Sequence, residues 1–275
     1  MLAFTKMHGL GNDFVVVDSR GVAASLDEVH YRAIGDRRRG VGYDQFLTIE
    51  PASNGADAFM RIHNPDGSEA GACGNGTRCV ASVLMAETGK PSVTVETIAG
   101  SLVCEDAGDG LVSVDMGPAG LAWDKIPLAH EVDTLSVALD DAPYTGACCV
   151  DMGNPHAVFF VEDAEAIALA DVGPVIEHHA MFPERTNVEF VQVLSPTQLR
   201  MRVWERSAGI TQACGSGACA TAVAAVRRGL AERETEVILD GGSLRLAWRD
   251  DGHVIMTGPV ATSFAGEIDL TRLGR

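Results

Sequence analysis

Two short stretches decide the organisation of this chain: ACGNGTRC at residues 72–79 and ACGSGACA at residues 213–220. They repeat at an offset of 141 residues, and each places a cysteine directly before Gly-X-Gly. Self-similarity at one fixed offset is typical of a duplicated structural unit. The sequence therefore predicts two copies of one plan within its 275 residues.

The similarity extends outward from both loops in the same order. The aligned landmarks are Gly11-Asn12 with Gly153-Asn154, Arg61-Ile62 with Arg202-Val203, Gly100-Ser101-Leu102 with Gly242-Ser243-Leu244, and Gly117-Pro118 with Gly258-Pro259. Identity between the halves is modest, so the ordered series carries more weight than any single pair. We expect a first domain of residues 1–117 plus 260–275 and a second domain of residues 118–259.

Each half shows the same succession of short strands, a glycine-rich turn, a helix and further strands. The helices are expected at 76–88 and 217–229, because glycine or proline marks the end of each one. The segment CATAVAAV at 219–226 is apolar on nearly every side, which predicts a helix buried inside a sheet or barrel. Strands are expected at residues 12–17, 45–49, 93–97, 101–105, 157–161, 187–193, 199–204, 236–239 and 244–248.

The charge balance excludes several classes of partner. The chain has 21 Lys and Arg residues against 38 Asp and Glu residues, a formal net charge of −17. A polyanion would meet a repulsive field, so neither nucleic acid nor an anionic membrane is expected as a partner. No apolar run reaches the roughly 18 residues of a membrane helix, and the N-terminal residues do not form a signal-peptide pattern. We therefore expect a cytoplasmic protein.

Few residues suit a bound cofactor or metal. Lysine occurs only at positions 6, 90 and 125, whereas pyridoxal phosphate chemistry requires a lysine Schiff base. The loop cysteines lack C-x-x-C spacing, and His178-His179 has no second ligand pair nearby, so no metal site is expected. The seven cysteines are expected to be reduced thiols, and no cofactor is expected.

Each repeated loop can hold an anion and activate a thiol. Glycines let backbone N–H groups converge on one point, and a helix N-terminus adds partial positive charge. A single cysteine beside glycines is more often a small buried hydrophobe. Two copies related by a pseudo-two-fold axis would instead oppose Cys73 and Cys214 across an interdomain cleft. Opposed thiols suit inversion at a carbon acid, because one removes the Cα proton while the other protonates the opposite face.

Polar residues near the loops fit an amino-acid ligand. Asn12 and Asn154 occupy repeated positions, and Asn64 precedes Cys73 as the pair Glu205-Arg206 precedes Cys214. A glutamate accepts hydrogen bonds from an ammonium group, and an arginine binds a carboxylate bidentately. The asparagines have an alternative role in forming turns. His156 could tune a thiol, although a lone histidine is more often structural.

Six motifs occur along the chain: KMHGLGNDF (6–14), GVGYDQ (40–45), HNPDGSEAGACGNGTRC (63–79), MGNPH (152–156), RTNVEF (185–190) and WERSAGITQACGSGACA (204–220). Together they resemble the diaminopimelate epimerase family, from Lys6 to about Pro259. The resemblance implies an α/β (α+β) fold of two pseudo-symmetric domains, each a β-barrel-like mixed sheet around a central helix. It also implies a cofactor-independent isomerase, usually a homodimer, that interconverts LL- and meso-diaminopimelate in lysine and peptidoglycan precursor biosynthesis.

The resemblance implies roles for individual residues. Cys73 and Cys214 match the two acid/base thiols, and His156 and Glu205 match the residues that assist them. The matching substrate-contacting positions are Asn12, Gln45, Asn64, Asn154, Asn187 and the pair Glu205-Arg206, and the matching backbone cradles are Gly74-Asn75 and Gly215-Ser216. Ser207 replaces a usual glycine and Ile210 replaces a residue that is often polar. Both departures concern the dynamics of the loop more than its chemistry.

Three other functions fit parts of the same pattern. A proline-racemase-like enzyme also opposes two cysteines, but proline lacks the distant amino-acid head group that several asparagines and Arg206 would recognise. A thiol–disulfide redox protein would use the two cysteines as a pair. An amino-acid-binding module would use the polar residues without turnover. Solvent deuterium entering the Cα of a bound ligand would separate catalysis from binding alone.

Overall fold

The computed structural model describes residues 1–21 and 26–273, which form two compact units. The first comprises Met1–Val114 and Gly258–Arg275, and the second comprises Asp115–Thr257. Residues 22–25 and 274–275, which belong to the expected first domain, lie outside the described residues. The C-terminal segment is thus in the same unit as the N-terminus.

The first half of the chain alternates short strands with two helices. In chain order these are β1 (Leu2–Gly9), β2 (Asn12–Asp18), α1 (Glu28–Gly35), β3 (Gln45–Glu50), β4 (Ala58–His63), β5 (Glu69–Ala70), α2 (Gly74–Thr88), β6 (Ser92–Thr97), β7 (Gly100–Asp106) and β8 (Leu111–Pro118).

The second half has the same number and order of strands and helices. Its elements are β9 (Cys148–Asp151), β10 (Pro155–Val161), α3 (Leu169–Glu177), β11 (Asn187–Ser195), β12 (Gln198–Glu205), β13 (Gly209–Ile210), α4 (Gly215–Arg227), β14 (Glu234–Leu239), β15 (Gly242–Trp248) and β16 (His253–Pro259). Strand β17 (Ala261–Ile268) and a short 3-10 helix (Leu270–Arg272) follow. Every strand expected from the sequence is present, with bounds that differ by a few residues.

The strands of the two units are paired in the same way. In the first unit β1 pairs antiparallel with β2, β2 parallel with β3, β3 antiparallel with β4, β4 parallel with β6, and β6 antiparallel with β7. In the second unit the same sequence of pairings joins β9, β10, β11, β12, β14 and β15. The short strands β5 and β13 pair with β4 and β12. The predicted repeat, with a mixed sheet in each half, is therefore confirmed.

A buried helix lies at the centre of each unit. Helix α2 contacts β1, β2, β3, β6 and β7, and helix α4 contacts β9, β10, β11, β12, β14 and β15. Nearly every residue of α4 from Gly215 to Ala225 is buried, which confirms the reading of the all-apolar segment. Both helices start earlier than expected, at Gly74 and Gly215, because the preceding cysteine itself is the N-cap. Helix α2 ends at the predicted stop, where Gly89 adopts a left-handed φ of 68°.

Two helices, α1 and α3, were not predicted from the sequence. Each connects a pair of parallel strands, β2 to β3 and β10 to β11, and a parallel pair requires a crossover between its strands. They have only 8 and 9 residues, so their apolar periodicity is short. One local signal was present, since Asp27 caps α1 by accepting the N–H of His30.

Helix α3 packs closely against β12. A Cβ atom built on Gly173 would lie 2.5 Å from Cγ of Trp204, so only glycine allows this approach of helix to strand. Trp204 precedes Glu205, the last residue of β12. The contact therefore fixes the position of α3 relative to the turn that follows this strand.

The first prediction concerns this contact. Substitution Gly173→Ala should lower the free energy of unfolding by about 2 kcal/mol, because the added methyl group overlaps the Trp204 ring. Urea denaturation followed by circular dichroism measures the change. Gly21→Ala is the control, since a Cβ at Gly21 meets nothing within 4 Å. Equal stability of the two variants would contradict the close packing of α3 on Trp204.

Candidate active site

Cys73 is placed by the start of helix α2. It is the N-cap residue, and its Sγ accepts the backbone N–H of Gly76 at 3.3 Å. A Cβ on Gly76 would lie 3.0 Å from the Leu47 side chain and 3.3 Å from the thiol sulfur. Glycine at this position therefore lets the helix N-terminus come close to the thiol.

Cys214 is placed in the same way by helix α4. Its Sγ accepts the backbone N–H of Gly217 at 3.3 Å, and Ser216 Oγ lies 3.6 Å from the sulfur. A Cβ on Gly217 would lie 2.8 Å from Oε1 of Glu189 and 3.1 Å from the sulfur. The repeated sequence thus produces the same thiol–helix contact in both units, with the same distance.

The surroundings of the two thiols differ. Cys73 is partly exposed, whereas Cys214 is only 5% exposed. Burial raises the pKa of the Cys214 thiol well above its ordinary value, and the nearby carboxylates of Glu205 and Glu189 raise it further. The hydrogen bonds from Ser216 and Gly217 oppose this rise but are smaller effects. Cys214 therefore favours its protonated form.

Glu205 is the carboxylate that reaches Cys214. It is the last residue of β12, and its charge is among the causes that raise the pKa of the Cys214 thiol. The hydroxyl of Thr211 donates a hydrogen bond to its Oε1. Burial raises the pKa of Glu205, while Thr211 and His156 act in the opposite direction. A carboxylate with a raised pKa in contact with a thiol can exchange a proton with it.

His156 belongs to a buried polar pair. The imidazole and the carboxyl group of Glu189 are both fully buried, with Nδ1 and Oε1 2.6 Å apart, and burial raises the pKa of Glu189. The Nε2 atom lies 2.9 Å from Oδ1 of Asn154, an acceptor, so Nε2 carries a hydrogen.

Asn187 connects the start of β11 to the turn after β12. Its Nδ2 donates to the carbonyl of Pro155 at 2.9 Å, and its Oδ1 accepts the backbone N–H of Arg206 at 2.9 Å. The Arg206 guanidinium donates to the carbonyl of Glu184 at 3.1 Å. Three of the predicted site positions in the second unit, Asn187, Glu205 and Arg206, thus lie at one end of the paired strands β11 and β12.

The first unit places Asn12 and Asn75 together. Nδ2 of Asn75, in the first turn of α2, donates to Oδ1 of Asn12 at 3.2 Å. Asn12 in turn donates to Asp44 at 2.9 Å, and Arg37 pairs with the same carboxylate at 2.7 Å. Asn12 is therefore oriented by contacts on both sides of its amide.

The remaining predicted positions lie on the same elements. Gln45 begins β3 opposite Phe14 of β2, and Asn64 follows β4, where it donates to Ser68 at 3.0 Å. Gly74 and Gly215 are the first residues of helices α2 and α4. Their roles in binding substrate remain predictions.

Sequence reasoning missed Glu189 and Asp44. Glu189 interrupts the apolar strand β11 with a charge that is 0% exposed, and a lone charge inside an apolar run was the available signal. Asp44 precedes Gln45 in the motif GVGYDQ, but no sequence pattern indicates its contact with Asn12. Such a contact depends on the parallel pairing of β2 with β3.

Ser207 and Ile210, the two positions that depart from the family pattern, lie in different local environments. Ser207 adopts a left-handed φ of 65°, the backbone conformation for which glycine is favoured. Ile210 is 45% exposed at the end of β13. The serine at position 207 thus has a backbone conformation that is strained for a residue other than glycine.

Several classes of site are absent from the described part of the chain. Within residues 1–21 and 26–273, no group of three or more His, Cys, Asp or Glu side chains is arranged to hold a metal ion. All seven cysteines lie in these ranges, and no disulfide joins any of them. No helix among the described residues has the length and apolar character needed to span a membrane.

Solved structures with this fold include epimerases and racemases. A predicted epimerase from Pseudomonas aeruginosa superposes with a TM-score of 0.70 at 18% identity, covering 98% of this chain and 99% of that one. A probable proline racemase from Agrobacterium radiobacter has a TM-score of 0.70 at 17% identity, covering 98% of this chain and 93% of the other. At such identities the likeness defines the fold alone, which consists of two repeated α+β units.

Sequence relatives define the family. The family model described as diaminopimelate epimerase matches residues 4–122 and 148–263. A protein named diaminopimelate epimerase from Rhodospirillum centenum is 60% identical over 98% of this chain and 93% of its own length, and one from Acidiphilium cryptum is 54% identical over 98% and 97%. The chain belongs to the diaminopimelate epimerase family.

The second prediction concerns the pKa of Cys214. Substitution Glu205→Gln removes a charge that raises this pKa, so the alkylation of Cys214 by iodoacetamide should reach half its maximal rate at a pH lower by about one unit. Peptide mapping by mass spectrometry at each pH follows this cysteine separately from the other six. Glu162→Gln, an exposed carboxylate after β10, is the matched control and should leave the profile unchanged. A profile of Glu205→Gln that stays in place or moves to higher pH would refute the electrostatic coupling.

Proposed function

We propose that this chain is a cofactor-independent epimerase that interconverts LL- and meso-2,6-diaminopimelate, a reaction of lysine and peptidoglycan precursor biosynthesis. Family membership supports the reaction and the substrate, since relatives at 50 to 60% identity over nearly the whole chain carry this name. The enzyme is an isomerase that inverts one α-carbon. It works in the cytoplasm as a homodimer, as is usual in this family.

The observation that carries the proposal is the duplicated thiol. Cys73 and Cys214 are each the N-cap of a buried central helix, and each sulfur accepts a glycine N–H at 3.3 Å. A buried structural cysteine would not need this contact in both units. A backbone N–H aimed at sulfur stabilises the thiolate, which is the form that can remove a proton. Each unit thus supplies one acid/base group.

The reaction requires one proton to leave and another to arrive. A thiolate removes the α-proton from one face of the substrate carbon, and the thiol of the other unit protonates the opposite face. One Cα–H bond breaks as an S–H bond forms at the first cysteine, and one S–H bond breaks at the second cysteine as a new Cα–H bond forms, so the two thiols exchange protonation states in each turnover. Burial favours the protonated form of Cys214, which is the form that donates a proton.

The first turns of the two central helices would bind the reacting end of the substrate. The backbone N–H groups at Gly74-Asn75 and Gly215-Ser216 lie at helix N-termini, which attract the α-carboxylate and stabilise negative charge that develops on it during deprotonation. The loss of the α-proton becomes easier as this charge is stabilised. The cradles therefore assist the same step as the thiols.

Charged and amide side chains would recognise the amino-acid groups of the substrate. Glu205 and Arg206 supply one carboxylate and one guanidinium, and Asn12, Gln45, Asn64, Asn154 and Asn187 supply amides. Asn187 donates one amide hydrogen to Pro155 and accepts the N–H of Arg206 with one lone pair of its Oδ1. The second hydrogen of its NH2 group and the second lone pair of its oxygen are left for a ligand. The imidazole of His156, which lies between Glu189 and Asn154, orients the Asn154 amide through a hydrogen bond.

The two compact units would be the two epimerase domains. Their bounds at Val114 and Thr257 lie close to the landmarks Gly117-Pro118 and Gly258-Pro259 from which the domain limits were drawn. One thiol, one central helix and one cradle then come from each domain. Sedimentation equilibrium of the reduced protein tests the homodimer, and a monomer at micromolar concentration would refute it.

The third prediction tests the two thiols. Cys73→Ser and Cys214→Ser should each lower kcat by about 10³-fold or more, because a serine hydroxyl is far too weak an acid to yield the required base. The assay follows stereochemistry and Cα deuterium during incubation with LL-diaminopimelate in D2O. Cys104→Ala, which changes a buried thiol whose pKa is raised by burial alone, should remain active. Full activity of either serine variant would exclude the two-thiol reaction and favour a redox or binding role.

The fourth prediction tests whether the thiols serve opposite faces. Each serine variant keeps one working thiol, which suffices to eliminate a β-leaving group from a substrate analogue, since elimination needs a single proton abstraction. The two variants should therefore prefer opposite α-stereoisomers of the analogue. Chiral chromatography of the remaining analogue measures the preference. Two variants that consume the same stereoisomer would show that the thiols act on one face.

The fifth prediction concerns cofactors and the rival substrate. Activity should survive dialysis against a chelator and show no pyridoxal absorbance, because the proposed chemistry uses only thiols and backbone groups. A loss that a divalent metal restores would overturn this mechanism. Proline should not be racemised by the same preparation, and turnover of proline instead of diaminopimelate would identify a proline-racemase-like enzyme.

A further inference from the structure

A buried carboxylate, Glu177, lies next to the turn that carries Glu205 and Arg206. It is the last residue of α3 and is 3% exposed. Its Oε2 accepts the indole N–H of Trp204 at 2.7 Å, and its Oε1 accepts the backbone N–H of Ser207 at 2.9 Å. Both of its oxygens are therefore used by residues of one short segment.

The two contacts of Glu177 lie on either side of the Glu205-Arg206 pair, which is expected to bind substrate. Trp204 directly precedes Glu205, and Ser207 directly follows Arg206. A further hydrogen bond closes the turn, from the N–H of Ala208 to the carbonyl of Glu205 at 3.1 Å. Glu177 thus holds the chain on both sides of these two residues without occupying either of them.

The turn needs such support, because its backbone is strained. Ser207 has a φ of 65° and Arg185, which reaches it, has a φ of 62°. Residues other than glycine rarely adopt these angles and persist in them only when their surroundings hold them there. Arg185 Nη1 donates to Ser207 Oγ at 3.2 Å and lies 3.8 Å from Oε1 of Glu177, so its charge also offsets that of the buried carboxylate.

We propose that Glu177 is a positioning residue for substrate recognition. By fixing Trp204 and Ser207 it sets the place of Glu205 and Arg206, and through them the affinity for an amino-acid group of the substrate. It makes no contact with substrate itself. The inference rests on the proposed function, because it assigns a cause to the affinity of that same site.

A purely structural role for Glu177 predicts something different. If the carboxylate only anchors the end of α3, its loss lowers stability and leaves the kinetic constants of the folded enzyme unchanged. If it positions the turn, its loss raises KM at temperatures where the variant is fully folded. The thiols keep their contacts with the N-termini of α2 and α4, whereas a displaced Glu205 alters the pKa of Cys214, so kcat also changes but by less than KM rises.

The first variant is Glu177→Gln. The two N–H donors of Trp204 and Ser207 converge on this side chain, and an amide has one acceptor oxygen where a carboxylate has two. One N–H must therefore face the NH2 group and lose its partner. We expect KM for LL-diaminopimelate to rise about tenfold while kcat changes less than about threefold.

The second variant combines Glu177→Gln with Trp204→Phe. The phenylalanine ring keeps an aromatic side chain against Gly173 and removes the indole N–H, so the amide oxygen introduced at position 177 is free to accept the N–H of Ser207. The double variant should have a lower KM than Glu177→Gln alone, close to that of Trp204→Phe. If the fold-change in KM of the double variant equals the product of the two single fold-changes, the two side chains act independently and the proposal is overturned.

Asp171→Asn is the matched control. It makes the same change from carboxylate to amide on the same helix, at an exposed position in the first turn. Its KM and kcat should equal those of the unsubstituted enzyme. Thermal unfolding of every variant verifies that the assays are run on folded protein.

The outcomes separate the positioning role from the proposed reaction. Absence of epimerisation by the unsubstituted enzyme would overturn the proposed function and this inference with it. An active enzyme with an unchanged KM in Glu177→Gln would overturn the positioning role alone. If Glu177→Gln does not fold, Trp204→Phe by itself decides, because it removes one of the two contacts and should raise KM about threefold. An unchanged KM in that variant overturns the positioning role.

Discussion

The contact between a thiol sulfur and a glycine N–H at a helix N-terminus is the constraint on which the rest of each unit depends. It satisfies one of the backbone N–H groups that have no partner within the helix, and it sets where α2 and α4 begin. Gly76 and Gly217 are required because a side chain would press on Leu47 or Glu189. The strands around each helix are then placed relative to the sulfur atom.

The two copies keep this geometry but differ in electrostatics. Partly exposed Cys73 precedes the first turn of α2, where Asn75 donates to Asn12, whereas buried Cys214 lies near two carboxylates. Burial and like charge both favour a neutral thiol. Duplication therefore preserved the position of the thiol while its surroundings changed. Two equivalent positions thus place a thiol in two different electrostatic environments.

More of the fold than of the site could be predicted from the sequence. The repeat predicted two units and their buried helices because the glycine loops and the CATAVAAV segment are local patterns. The short helices α1 and α3 lacked a long enough period to be recognised. Contacts such as Glu189 with His156 depend on the pairing of β10 with β11, and that of Glu177 with Ser207 on the packing of α3. Neither follows from spacing along the chain.

The return of the chain to its first unit has a consequence for the order of folding. Strand β17 pairs with β1, from Leu2 opposite Ile268 to His8 opposite Ala261, so the two ends of the described chain complete one sheet. A ribosome adds β17 after every other strand of the chain. The edge of β1 therefore stays open, and prone to pairing with other chains, until the last strand has emerged.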